Sequence, residues 1–162
     1  MQFSQAEYDA RLHATKTRMQ ERGIDLLLVT DPANMNYLTG YDGWSFYVPQ
    51  VVLVHLEAVQ PVWIGRKMDA RATEVTTYLT RDNIIGYPDD YVQSLIKHPF
   101  DYVSDRIVAW GWGDQVIGLE MDSYYFTATS YFSLHHQLPN ARFQDAAALV
   151  NWVRSVKAQA EI

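Results

Sequence analysis

Apolar positions along the chain follow two rhythms, a three-to-four spacing and short unbroken runs, and their alternation predicts the elements. Ser4 followed by Glu7 reads as a capping box, with Phe3 and Tyr8 placed to close a hydrophobic staple over it. Tyr8, Leu12, Thr15 and Met19 then share one helical face, and Gly23 is a natural stop. The run Leu26-Leu27-Leu28-Val29 fits a strand covered on both faces. Asp31-Pro32 starts a short helix that carries Met35 and Leu38 inward and ends at Gly40. Val51 to Val54 predicts a strand that begins after Pro49 or bulges there, because proline cannot donate to a ladder. A polar hairpin around Glu57 to Gln60 joins it to Pro61-Val62-Trp63-Ile64.

The second half repeats the alternation. A helix is predicted over Asp69 to Thr76 and a strand over Ile84 to Tyr87. Pro99 opens a helix whose buried side carries Tyr102, Val103, Ile107 and Trp110, and Gly111 and Gly113 end it. Val116 to Leu119 is the next strand, a helix runs from about Ser123 to Leu134, a short strand surrounds Phe143, and a last helix spans roughly Ala146 to Val156. Strands alternating with helices mean an α/β domain. The final stretch, 157–162, reads as the beginning of another element.

Composition narrows the function classes. In 162 residues, 13 basic and 19 acidic side chains give a net charge of −6, with no Lys/Arg run, which argues against nucleic acid and anionic membranes. With 48% apolar residues the chain can build a core. Zero cysteines remove disulfides, thiol catalysis and Cys-ligated metals. The opening Met1-Gln2-Phe3-Ser4 lacks a signal-peptide pattern, so the expected location is cytoplasmic.

No complete catalytic set emerges. His13, His55, His98, His135 and His136 show no zincin spacing, and the adjacent pair reads as a helix end near the last carbonyls. Glu120 and Asp122 follow a predicted strand; were it to continue, both would lie on one face and suit a metal or an acid/base pair. The simpler expectation is that Asp122 or Ser123 caps the next helix and Glu120 is solvated or paired. Gly111-Trp112-Gly113 lacks the third glycine of a dinucleotide fingerprint and follows a helix. The chemistry-bearing stretch is Gly40-Tyr41-Asp42-Gly43-Trp44-Ser45-Phe46-Tyr47, with four aromatics within seven residues. So short a loop cannot easily bury all four, which makes it a candidate binding surface.

Asp31-Pro32-Ala33-Asn34-Met35-Asn36-Tyr37-Leu38-Thr39-Gly40, Ile117-Gly118-Leu119-Glu120 and the segment from Leu149 to Lys157 resemble the amino-terminal domain of the creatinase, prolidase and aminopeptidase P family. Within that family, the stretches 41–47, 87–94 and 120–126 look most like the ectoine hydrolases, which open a cyclic amidine. The resemblance implies a mixed β-sheet flanked by helices, of ribonuclease-H-like type, over residues 3–156. It also implies that 157–162 lead into a missing carboxy-terminal pita-bread domain. That domain would carry the catalytic residues and, in metal-dependent members, a divalent metal pair, leaving neither catalytic residue nor cofactor in this chain. The partners implied are the chain's own catalytic domain, a second copy in a homodimer, and a small-molecule substrate. In creatinase a Phe-x-Arg element reaches the partner's substrate; the matching Phe46-Tyr47-Val48 keeps the aromatic and replaces the arginine, removing a carboxylate anchor. The resemblance therefore assigns substrate contact to Phe46, Tyr41, Asp42, Trp44 and Tyr47. An Xaa-Pro dipeptidase domain and a non-enzymatic peptide-binding module are the alternatives.

Overall fold

A computed structural model describes residues 3–161; Met1, Gln2 and Ile162 of the stretches read above lie outside the described residues. The helices are α1 (Gln5–Glu21), α2 (Pro32–Thr39), α3 (Ala70–Thr76), α4 (Pro99–Ala109), α5 (Ala128–Gln137) and α6 (Leu149–Ser155). The strands are β1 (Leu26–Val29), β2 (Val51–His55), β3 (Val62–Arg66), β4 (Ile84–Tyr87), β5 (Val116–Leu119) and β6 (Arg142–Asp145). They form one mixed sheet in the order β4-β3-β2-β1-β5-β6. β1 pairs antiparallel with β2 and parallel with β5. The predicted hairpin is the antiparallel pair β2–β3, and β2 begins after Pro49 as expected.

The sheet separates two cores, and β1 shows why its apolar run is unbroken. Leu27 and Val29 face one core with Leu12 and Met19 of α1, Leu38 of α2 and Val150 of α6. Leu26 and Leu28 face the other with Val103 and Ile107 of α4 and Leu134 of α5. All four residues of β1 are wholly buried, each contributing about 1.5–3 kcal/mol by removal from water.

Helix ends follow local chemistry, with some differences from the pattern reading. Ser4 Oγ accepts from the Glu7 N–H at 3.3 Å, and the Phe3 and Tyr8 rings meet edge-on at 6.2 Å as a staple. The reciprocal half of the capping box does not form, because the Glu7 carboxylate pairs with Arg11 at 3.0 Å. A full box appears at α4: His98 Nδ1 accepts from the Phe100 N–H, and the Asp101 carboxylate accepts from the His98 N–H. On α4 the buried face belongs to Phe100, Val103, Ser104 and Ile107. Tyr102 and Trp110 are only half-buried, against Tyr91 and Trp112 respectively.

The largest correction concerns α5. It starts at Ala128 under a Thr127 cap, not near Ser123. Residues 121–126 run as turns, with Ser123 Oγ accepting from the Tyr125 N–H, so that Phe126 can pack edge-on against Phe100. Likewise α6 starts at Leu149, because Ala146 N–H still bonds to Leu119 and the Asp145 carboxylate accepts from Ala147 N–H. Beyond α6 a single 3₁₀ turn spans Gln159–Glu161.

Glu120, immediately after β5, is not solvated but paired, and it shares a small cleft with Asp31 and Asp122. It is 4% exposed, and its carboxylate accepts from the Thr30 N–H at 2.6 Å, the Asp31 N–H at 2.8 Å and Asn34 Nδ2 at 2.7 Å. Asn34 extends the cluster to α6, donating to Asn151 Oδ1 and accepting from Arg154. Burial holds the Glu120 carboxyl above the ordinary value of 4.5, against the pull of its donors and with help from the nearby Asp31 charge.

Glu120→Ala leaves buried donors unsatisfied and should destabilise the chain by about 1–3 kcal/mol in urea unfolding. A carboxyl with a raised folded pKa binds its proton more tightly in the fold, so its contribution is greatest at low pH. It is lost as pH rises from 4.5 through the raised value. The gap between wild type and E120A should therefore narrow towards neutral pH; a widening gap would show that the donors outweigh burial. Separately, Gly40 ends α2 at φ +79, and a Cβ there would lie 2.8 Å from the Tyr8 hydroxyl and 3.1 Å from the Thr76 carbonyl. Gly23, at φ +65, has open space instead. Gly40→Ala should lower stability by more than about 1 kcal/mol and by clearly more than Gly23→Ala; equal losses would mean the neighbours yield freely.

Candidate functional site

The ends of β1 and β5 and the start of β2 lie at one end of the sheet's strands, because β1 is parallel to β5 and antiparallel to β2. The loop between α2 and β2 crosses these strand ends. It leaves α2 through Gly40 and at once sends Tyr41 into the core, 2% exposed, with its ring 5.3 Å from that of Trp63. The Tyr41 N–H donates to Thr39 Oγ1 at 3.1 Å, and its hydroxyl accepts from Gln50 Nε2 at 2.9 Å. Burial and the Asp69 charge push the Tyr41 hydroxyl up to about 12, so it stays neutral. Gly43 is required by close approach, since a Cβ there would lie 2.2 Å from the Tyr41 hydroxyl.

The loop is anchored again at its far end. Val48 is 4% exposed within the second core, and the Pro49 carbonyl accepts from the Tyr87 hydroxyl at 2.6 Å. Between these anchors the rings point outward: Trp44 is 62% exposed, Phe46 77% and Tyr47 61%. Trp44 Nε1 donates to the Tyr125 hydroxyl at 2.6 Å, bridging the loop to the turns after β5. The Trp44 and Phe46 rings lie 5.9 Å apart.

A cleft of about 140 Å³ opens between the two segments. Phe46 and Tyr47 form one wall, Tyr124 and Tyr125 the other, and Thr30, Pro32, Met35 and Gln50 contribute beneath. Every lining residue is uncharged. Of the five residues read from the sequence, Phe46 and Tyr47 line this cleft, Trp44 braces it through Tyr125, Tyr41 lies under it, and Asp42 is exposed on the loop. Tyr124, Tyr125 and Gln50 were not foreseen. The tyrosines stood in a segment read as helix, and the helical reading hid their turn. Gln50 carries no periodic signal.

The histidines do not converge. His55 is buried and stacks on Trp112 at 4.2 Å, His98 caps α4, and His135 and His136 sit in the last turn of α5. Asp122 is exposed beyond the end of β5 and lines a small cleft together with Asp31 and the buried Glu120. Among the described residues, no three His, Asp or Glu side chains come together as a metal would require, and no helix is long and apolar enough to cross a membrane.

Comparison with known proteins now bears on this geometry. The model of the Creatinase/Prolidase N-terminal domain matches residues 11–156. An ectoine hydrolase of Halomonas elongata is 52% identical over 99% of this chain and 40% of its own length. An uncharacterized hydrolase/peptidase of Sinorhizobium fredii is 46% identical over 100% of this chain and 41% of its own. The chain thus spans about two fifths of these curated relatives. Among solved structures, a proline dipeptidase from Streptococcus pneumoniae superposes with TM-score 0.72 at 19% identity, covering 90% of this chain and 98% of that one. The N-terminal domain of the cytoplasmic peptidase PepQ from Mycobacterium tuberculosis gives 0.69 at 20% identity, covering 90% and 99%. At such identities the structures speak to the fold, which is the mixed sheet and flanking helices expected from the sequence. Matched by that model over nine tenths of its length, the chain belongs to the creatinase/prolidase N-terminal domain family.

Proposed function

We propose that this chain is the non-catalytic amino-terminal domain of an ectoine-hydrolase-type enzyme, and that its aromatic cleft forms one wall of a substrate pocket. The observation that carries the reading is 52% identity to an ectoine hydrolase along nearly the whole chain. The solved peptidase structures stand at 20% identity or less. The uncharged cleft agrees with it. A compact, partly apolar ring is suited to the faces of Phe46, Tyr47 and Trp44, with Asp42 on the loop and Tyr41 beneath as polar support. Val48 stands where creatinase has its substrate-reaching arginine, and its burial leaves no cation to hold the carboxylate of a creatine-like ligand.

In this reading the bond-breaking residues, with a divalent metal pair where the enzyme uses one, belong to the rest of the full-length protein, in the cytoplasm. The cleft is completed by a second copy in a homodimer. Three rings more than half exposed on an anchored loop are interface material of the kind that such a neighbour covers.

Full-length protein should consume ectoine and leave Xaa-Pro dipeptides intact; cleavage of the dipeptides without turnover of ectoine would replace this reading with the peptidase one. Truncating Phe46 to Ala should lower kcat/KM for ectoine by about tenfold, as expected for losing part of an aromatic face worth about 1.5–3 kcal/mol when fully buried. Unchanged kinetics would remove Phe46 from the substrate wall.

A further inference from the structure

The outer part of the aromatic loop, residues 42–47, is held by few contacts. Ser45 Oγ accepts from the Val48 N–H at 3.2 Å, a bond that stays within the loop. Among the described residues one hydrogen bond ties this stretch to another segment, from Trp44 Nε1 to the Tyr125 hydroxyl at 2.6 Å. The two ends of that bond are mounted differently. Tyr125 stands on the turns after β5, where its N–H donates to Ser123 Oγ at 3.2 Å and the next residue, Phe126, is buried with its ring 5.7 Å from that of Phe100. Trp44 stands on the loop, exposed and outside both cores.

The bond reaches the cleft through one further contact. The Trp44 and Phe46 rings lie 5.9 Å apart, and Phe46 also belongs to neither core. Its place as a wall therefore rests on Trp44 and on the loop backbone. Tyr125 lines the facing wall, so a hydroxyl on one wall holds the ring that steadies the other. Covering rings already in place costs less ordering than covering rings that must first be gathered.

We infer that Tyr125 is a positioning residue of the cleft: its hydroxyl bolts the loop through Trp44 and keeps Phe46 facing the turns after β5. This rests on the reading of the cleft as a substrate wall. The bolt is made before the ligand arrives, so its loss lowers the fraction of protein with a formed wall and weakens apparent affinity by that fraction. In that reading the bond-breaking groups lie outside this chain. Bound substrate then reacts at the ordinary rate, and the loss falls on KM.

The test is Tyr125→Phe in the full-length protein, a change that keeps the ring and removes only the acceptor. KM for ectoine should rise about fivefold, the size of one net hydrogen bond, with kcat held within about twofold. In Trp44→Phe, which removes the donor, adding Tyr125→Phe should raise KM no further, because the bond is already gone. Fluorine NMR of protein carrying fluorotryptophan gives a readout free of turnover. The Trp44 resonance, identified by its absence from Trp44→Phe, should move in Tyr125→Phe. An unmoved resonance, an unchanged KM, or a further rise on adding Tyr125→Phe to Trp44→Phe overturns the role of Tyr125. Phe46→Ala tells that failure from failure of the wall: reduced ectoine turnover in it leaves the wall standing, and unchanged kinetics remove both.

Discussion

The burial of one carboxylate organises this end of the fold. Glu120 leaves β5 and accepts from the backbone of Thr30 and Asp31, which leave the neighbouring β1, and from Asn34 in the first turn of α2. Its oxygens thus fix where β1 stops and α2 starts, while Asp31 itself caps the helix through the Ala33 and Asn34 N–H groups. Asn34 passes the constraint to Asn151 and Arg154, so α6 is set by the same cluster. An acceptor-only group surrounded by donors has one satisfactory arrangement, and a buried polar network of this kind selects a single geometry even where its net stabilisation is small.

Everything at the cleft depends on that start. With α2 placed, its end at Gly40 brings the chain over the strand ends, and the turn aims Tyr41 at Trp63. Tyr41 receives Gln50 Nε2, which places the residue before β2 beneath the loop. On the other side, Phe126 in the second core pulls the turns after β5 inward, leaving Tyr125 within hydrogen-bond reach of Trp44. The loop wall is therefore held by both cores, through Tyr41 in one and Val48 in the other, and the opposite wall by Phe126 in the second.

The sequence reveals the elements that bury one face or two, and hides those governed by a single distant contact. The run 26–29 and the Asp31-Pro32 start were legible because periodicity and local caps decide them. The start of α5 was not, since Ser123 is as good a cap as Thr127 and only the docking of Phe126 against Phe100 chooses between them. Glu120 could be read as solvated because its three donors come from residues about 90 positions away. The aromatic loop was recognisable by density alone, but which ring turns inward depends on Trp63, and the place of Gln50 beneath it is invisible without Tyr41 and Asp69.

The direction of each ring argues against simple packing as the role of the loop. A segment that uses aromatics for stability buries the largest of them, yet here Tyr41 and Val48 go in while Trp44, Phe46 and Tyr47 stay out. The exposed rings are held on a base fixed at both ends, by Thr39 and Gln50 at Tyr41 and by Tyr87 at Pro49. Covering three such rings removes several hundred Å² of largely apolar surface from water. A ligand or neighbour that covers them gains this without a large cost of ordering the loop, because the fold has already ordered it.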